Sequence, residues 1–195
     1  MDYQLVSPYT NTVQYCKIQI MPNQMNSDIE NNMELVLKKK EKKCNKNGYV
    51  DKIYGIEEYE ECILTPENLS GGAIFNIKYH CRLCLPLENT MIVSKVKNVN
   101  NEIILINGPI ITIIPKVNID TSVWELSNII THKETKKELN PDDYVKIIID
   151  KHKITQNDVR IITIGILVDY ATQDEVENYF GSIVEKKPKE DNYIM

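Results

Sequence analysis

Apolar and polar positions alternate most regularly just after Gly71-Gly72. Ile74, Phe75, Ile77, Tyr79, Cys81, Leu83 and Leu85 form a largely period-two apolar set, with Asn76, Lys78, His80 and Arg82 between them. That period predicts one long strand with one buried and one solvated face. Pro86 ends it, since proline has no N–H to give to a ladder. A second strand pattern opens at Thr90, so the chain leaves one small sheet and enters another at once. The region around Pro86 reads as the seam between two domains.

Upstream of that strand the pattern predicts a small α+β unit. Cys16, Ile18 and Ile20 share a face of a short strand over Cys16–Met21, which Pro22 and Asn23 stop. Met25, Ile29, Met33, Val36 and Leu37 then recur at helical spacing. Ser27 with Glu30 three residues on predicts a capping box at the helix start. Lys38 to Lys43 crowd the far end, where cations complement the helix dipole. A solvated helix end is favoured over a phosphate site for this run. Asn45-Lys46-Asn47-Gly48 is turn chemistry. Tyr49 to Ile56 reads as a strand, followed by an acidic segment, Glu57–Glu61.

Downstream the chain is all-β in character. Strands are predicted at Met91–Val99, Glu102–Asn107, Ile110–Ile114, Tyr144–Asp150 and Val159–Val168. Asn100-Asn101 and Asn107-Gly108-Pro109 supply the tight turns. A polar stretch from Pro115 to Asp143 carries only short apolar clusters, at Val123-Trp124 and Ile129-Ile130. Short strands with one long connection fit a Greek-key barrel of the OB type. Asp174 to Phe180 reads as a helical turn. The expected fold class is thus α+β, mainly β: a tip domain over residues 1–86, an OB barrel over 87–184, and a disordered tail over 185–195 that alternates Lys and Glu around Pro188.

Composition narrows the function. With 195 residues and a formal charge of −5, the chain is not a general electrostatic binder of nucleic acid, and any such contact must be a local patch. The barrel offers Lys95, Lys97, Lys146, Lys151, Lys153 and Arg160 for that patch. Its strands are rich in Ile and Val, with Tyr144 their sole aromatic, so the stacking half of a single-strand site is nearly missing. Arginine occurs only at Arg82 and Arg160 while Lys, Asn and Ile abound, a bias of the kind an AT-rich genome imposes.

The five cysteines are odd in number and irregular in spacing, which argues against a disulfide framework. Cys81-x-x-Cys84 lies inside a strand, where residues three apart face opposite ways, so it is read as two buried structural cysteines. A zinc site would need Cys44 and Cys62 as well. His80, His132 and His152 stand near no nucleophile signature, and no phosphate-binding or metalloprotease motif is present. No catalytic, cofactor-binding or metal-ligating residue is assigned. No apolar run reaches the roughly 18 residues that a membrane helix needs, and the N-terminus lacks a signal-peptide pattern, so a reduced, intracellular protein without membrane contact is expected.

Several stretches in order resemble the stalk subunit of multisubunit RNA polymerases, the family of the seventh subunit of eukaryotic RNA polymerase II and its archaeal counterpart. They are Lys43–Val50, Ala73–Pro86, Asn107-Gly108-Pro109, Tyr144–Ile149 with Val159–Ile166, and Tyr179–Ile183; Lys133–Leu139 resembles the approach to the fourth barrel strand. The resemblance covers nearly the whole chain, and its specificity lies in the order of the stretches. It implies a truncated ribonucleoprotein-like tip that docks on the polymerase core near the clamp, and an OB barrel beside the path of exiting RNA. It implies no catalytic residue.

Carried onto this sequence, the docking tip is the loop Asn45, Lys46, Asn47, Gly48 and the segment Gly55–Ser70, with Ile56, Ile63, Leu64 and Pro66 as anchors. The implied partners are the polymerase core subunits, a small helical stalk partner, and nascent RNA held weakly. Two departures stand out. Glu57–Glu61 replaces a segment that often contains Gly and Arg, and Asn101-Glu102-Ile103 replaces a Gly-aromatic pair. Such divergence points to a large DNA virus with its own polymerase, placing the protein in the host cytoplasm or virion; a cellular eukaryotic member would be nuclear. The alternative is a free-standing OB-type RNA-binding module of translation or RNA processing.

Overall fold

The long alternating strand organises the first sheet. In a computed structural model, which describes residues 3–60, 70–100, 102–127 and 129–183, it is β4 (Ala73–Cys84). β1 is Tyr9–Ile20, α1 is Ile29–Lys38, β2 is Lys43–Asn45 and β3 is Gly48–Tyr59; the sheet order is β1-β4-β3-β2. Phe75, Ile77, Tyr79 and Cys81 from β4 share one buried cluster with Ile18, Ile20, Val50, Ile53, Met33 and Leu37. The intervening β4 residues stay polar and partly exposed. Lys78 pairs with Glu57 at 2.6 Å and His80 with the same carboxylate at 2.9 Å. The acidic segment therefore begins as the end of β3, its first carboxylate pairing with Lys78 and His80.

Two local expectations are corrected. β1 starts seven residues before Cys16, at Tyr9, because its polar Thr and Asn residues face outward on a half-buried strand. The capping box at Ser27 does not form. Asp28 is the N-cap, without a side-chain bond, and its N–H donates to Asn26 Oδ1 at 2.9 Å. The helix stripe holds at Met33 and Leu37, which are fully buried, while Met25 precedes the helix.

The second sheet closes on itself. β5 (Met91–Val99), β6 (Glu102–Asn107) and β7 (Ile110–Pro115) run as an antiparallel meander. The connection that follows holds a small hairpin, β8 (Trp124–Leu126) with β9 (Ile130–His132), where the sequence pattern shows only two apolar clusters. β10 (Tyr144–Lys153) pairs antiparallel with β5, and β11 (Ile161–Tyr170) with β10. β11 also pairs parallel with β7, giving a closed barrel in the order β10-β11-β7-β6-β5. The fold is thus mainly β, an OB-like barrel following an N-terminal sheet. α2 spans Gln173–Ile183, longer than the expected turn.

The chain divides into two compact units. One holds Thr10–Lys43 and Val50–Leu83; the other holds the barrel from Cys84 onward, the residues up to Tyr9, and Cys44–Tyr49. Cys44 N–H donates to Asp158 O at 2.7 Å and Asn157 N–H to Cys44 O at 2.9 Å, and Cys44 and Tyr49 belong to the barrel's buried cluster.

The buried residues of the barrel are mostly aliphatic, with a hydroxyl pair among them. Ile103, Leu105, Ile110, Ile114, Val145, Ile147, Ile161 and Leu167 fill its interior. Thr112 and Thr163 sit opposite one another and share a buried hydrogen bond of 2.7 Å. Gly165 keeps the wall thin there. A Cβ on it would meet Thr112 Cγ2 at 2.8 Å and Ile148 O at 3.2 Å. Trp124 of the hairpin is fully buried, and its indole N–H donates to Val168 O at 3.1 Å.

Candidate docking and nucleic-acid surfaces

The loop Asn45, Lys46, Asn47, Gly48 is a tight turn between β2 and β3. Asn47 N–H donates to Asn45 Oδ1 at 2.8 Å, and Gly48 takes φ of +143°, a conformation that L side chains rarely adopt. Lys46 lies exposed between them. Ile56 is 6% exposed and packs in the core of the first sheet. Ile63, Leu64 and Pro66 lie outside the described residues, as do Cys62 and the tail 185–195.

The lysine run after α1 is engaged locally. Lys38 pairs with Glu34 at 2.7 Å and Lys42 with Asp51 at 2.7 Å, and Lys40 Nζ donates to Lys17 O at 3.2 Å. Two of the run's five lysines are thus paired with carboxylates, and Lys40 with a backbone carbonyl.

Of the barrel cations, two are neutralised. Lys95 pairs with Asp142 at 2.7 Å, and Lys146 pairs with Glu175 at 3.1 Å. Lys97, Lys151, Lys153 and Arg160 are exposed, and among the described residues no carboxylate pairs with them. Strand register then places Lys153 opposite Ile162 and Lys151 opposite Ile164, while Lys95 stands opposite Ile106. The barrel therefore brings lysines from β5 and β10 to the two borders of one outer face. No outward position of β6 or β7, or of the Ile162–Ile166 stretch of β11, is aromatic. Tyr144 packs instead against Phe180, edge to face with ring centroids 5.7 Å apart.

The hairpin carries a histidine that sequence reasoning left unassigned. His132 is buried, its Nδ1 accepts Thr135 N–H at 3.2 Å, and its Nε2 lies 3.1 Å from Asp169. An accepting Nδ1 puts the proton on Nε2, which donates to Asp169. Trp124 and Tyr170 enclose the ring at 5.2 and 5.8 Å, so it pins the hairpin to β11. Only the folded topology brings these residues together.

Among the described residues Cys44, Cys81 and Cys84 are buried and Cys16 is partly so. Cys81 and Cys84 are both fully buried but join different clusters, Cys81 that of the first sheet and Cys84 that of the barrel. Burial pushes the Cys81 thiol up to about 12, so it stays protonated at neutral pH. Cys16, Cys44, Cys81 and Cys84 are free thiols. Among the described residues no three His, Cys, Asp or Glu side chains converge to hold a metal. Among those residues no helix is long and apolar enough to cross a membrane.

No protein-family profile matches the chain. A curated protein of Acanthamoeba polyphaga mimivirus, named "Putative DNA-directed RNA polymerase subunit", is 38% identical over 176 residues, which cover 89% of this chain and 88% of that protein. The chain belongs to this family of viral polymerase subunits. The aligned length is too great to be confined to either sheet alone, so the family relation spans the first sheet and the barrel together.

Proposed function

We propose that this chain is a non-catalytic stalk subunit of a DNA-directed RNA polymerase. The observation that carries the reading is the near full-length relation to a viral protein named as a polymerase subunit. The barrel's strand order after an N-terminal sheet supports it, since the stalk family joins a tip domain to an OB barrel. In this reading the domains are residues 1–86 and 87–184. The first docks on the core near the clamp through the Asn45–Gly48 turn and the 55–70 segment. Ile63, Leu64 and Pro66 supply the desolvated centre of that interface. Ile56, being buried, acts by holding the strand that feeds the segment.

The barrel faces exiting RNA or initiation factors, and a small helical protein accompanies it. RNA contact is weak and carried by Lys97, Lys151, Lys153 and Arg160, because the other two cations are already paired.

Affinity capture of the tagged chain from its native source in high salt, with partners identified by mass spectrometry, tests the proposal. Recovery of the large polymerase subunits is expected. Recovery of RNA-processing proteins alone, or of nothing, would overturn it in favour of a free-standing RNA-binding module.

A further inference from the structure

The outer wall of the barrel is apolar where an antiparallel barrel normally turns polar side chains to water. Two rows cross β6, β7 and β11. Ile106, Ile111 and Ile162 are register partners in one row, and Ile104, Ile113 and Ile164 in the other. These are the outward positions, since Ile103, Leu105, Ile110, Thr112, Ile114, Ile161 and Thr163 alternate with them inside. Ile162 is 46% exposed and Ile164 40%, and the other four are partly exposed. Neighbours directly across a sheet have Cβ atoms about 5 Å apart, so the six side chains form one continuous surface. Strands that are apolar on both faces are the mark of a sheet covered on both faces.

The chain's isoleucine bias alone does not explain this wall. The same sequence keeps Asn76, Lys78, His80 and Arg82 on the outward face of β4. The apolar choice is specific to this side of the barrel.

The rim selects the occupant. Lys153 ends the first row beside Ile162 and Lys151 ends the second beside Ile164, while Lys95, beside Ile106, is already paired with Asp142. Lys97 projects from the bulge where the second row meets β5. An apolar centre with a charged rim is the anatomy of a protein interface. Single-stranded nucleic acid would need aromatic platforms, and none stands on this wall.

We infer that the isoleucine wall of β6, β7 and β11 binds another protein, through an acidic segment whose aliphatic side chains cover the isoleucines while its carboxylates meet Lys151 and Lys153. The inference does not rest on the polymerase role, but it competes with the weak RNA contact proposed above for the use of Lys151 and Lys153.

The test places a photo-crosslinking amino acid at Ile164 of the full chain in its native source and sequences the crosslinked product. The expected product is a peptide of another protein that combines aliphatic residues with Asp or Glu. Its yield should fall about tenfold when Lys151→Glu and Lys153→Glu are introduced together, because rim charges steer and stabilise such contacts. Both lysines are exposed, so these changes spare the fold, which thermal unfolding verifies. Crosslinks to RNA, to a second copy, or to residues 184–195 of the same chain would overturn the inference. So would an absent product or a yield indifferent to charge reversal.

Discussion

At the scale of single residues, the buried threonine pair is the sharpest probe of the barrel. Thr163→Val leaves the Thr112 hydroxyl without its 2.7 Å partner inside a mostly aliphatic core, which costs about 1–3 kcal/mol. Replacing both threonines by valine removes the stranded group, so the double variant should lose less than the sum of the singles. Urea unfolding of the four proteins measures this, and strict additivity would show that the pair does not interact. Gly108 is a second such point. It takes φ of +57°, and an added Cβ would strike the Tyr9 hydroxyl. Gly108→Ala should therefore destabilise by about 1–2 kcal/mol from the left-handed backbone alone, and more with the clash. Tyr9→Phe, which removes the hydroxyl, should recover part of that loss.

At the scale of elements, α2 is tied down by a reciprocal cap. Thr172 N–H donates to Glu175 at 2.8 Å, Glu175 N–H donates back to Thr172 Oγ1 at 3.2 Å, and Lys146 pairs with the same carboxylate. Burial works against the Glu175 charge, but the Thr172 N–H and Lys146 outweigh it and hold the carboxyl below the usual glutamate range. A depressed carboxyl stabilises the folded state above its unfolded value, near 4.3, and loses that contribution as pH falls through the folded value. Stability measured by denaturant titration should drop as pH goes from 5 toward 3, and Glu175→Gln should flatten that drop. At the other end of α2, Asn107 Nδ2 donates to Val93 O at 2.7 Å and to the Tyr179 hydroxyl at 3.0 Å. Tyr179→Phe should cost about 1 kcal/mol.

The elements also show what a sequence can disclose. β5 and β6 coincide with the expected strands because turn residues bound them on both sides, and β4 is legible from its period of two. The early start of β1, the three residues of β2 and the β8–β9 hairpin were not legible, since polar or very short strands carry no period. The lysines of the candidate surface are visible one by one in the sequence. Their placement beside isoleucines of β11 and β6 depends on register and barrel closure, which are non-local.

At the scale of the whole molecule, charge sets the terms of any RNA contact. A chain of net charge −5, with four barrel cations that no carboxylate among the described residues pairs, cannot show the steep salt dependence of a dedicated binder. Anisotropy titrations of an oligouridylate across salt concentrations should give a log–log slope no steeper than about −3, since each neutralised phosphate of a single strand contributes about 0.7. A steeper slope would mean that further cations join the site.

The path of the chain has one more consequence. Cys44–Tyr49 belongs to the barrel's unit although the residues on either side of it belong to the other. The barrel's hydrophobic interior is therefore completed by a loan from upstream sequence. For genetic exchange this makes the gene hard to cut: a crossover that traded only the downstream part for a relative's would mismatch Cys44 and Tyr49 against a foreign interior. Substitutions at these positions and in the barrel core should consequently be inherited as a set, so that the two halves diverge in step and not as interchangeable modules.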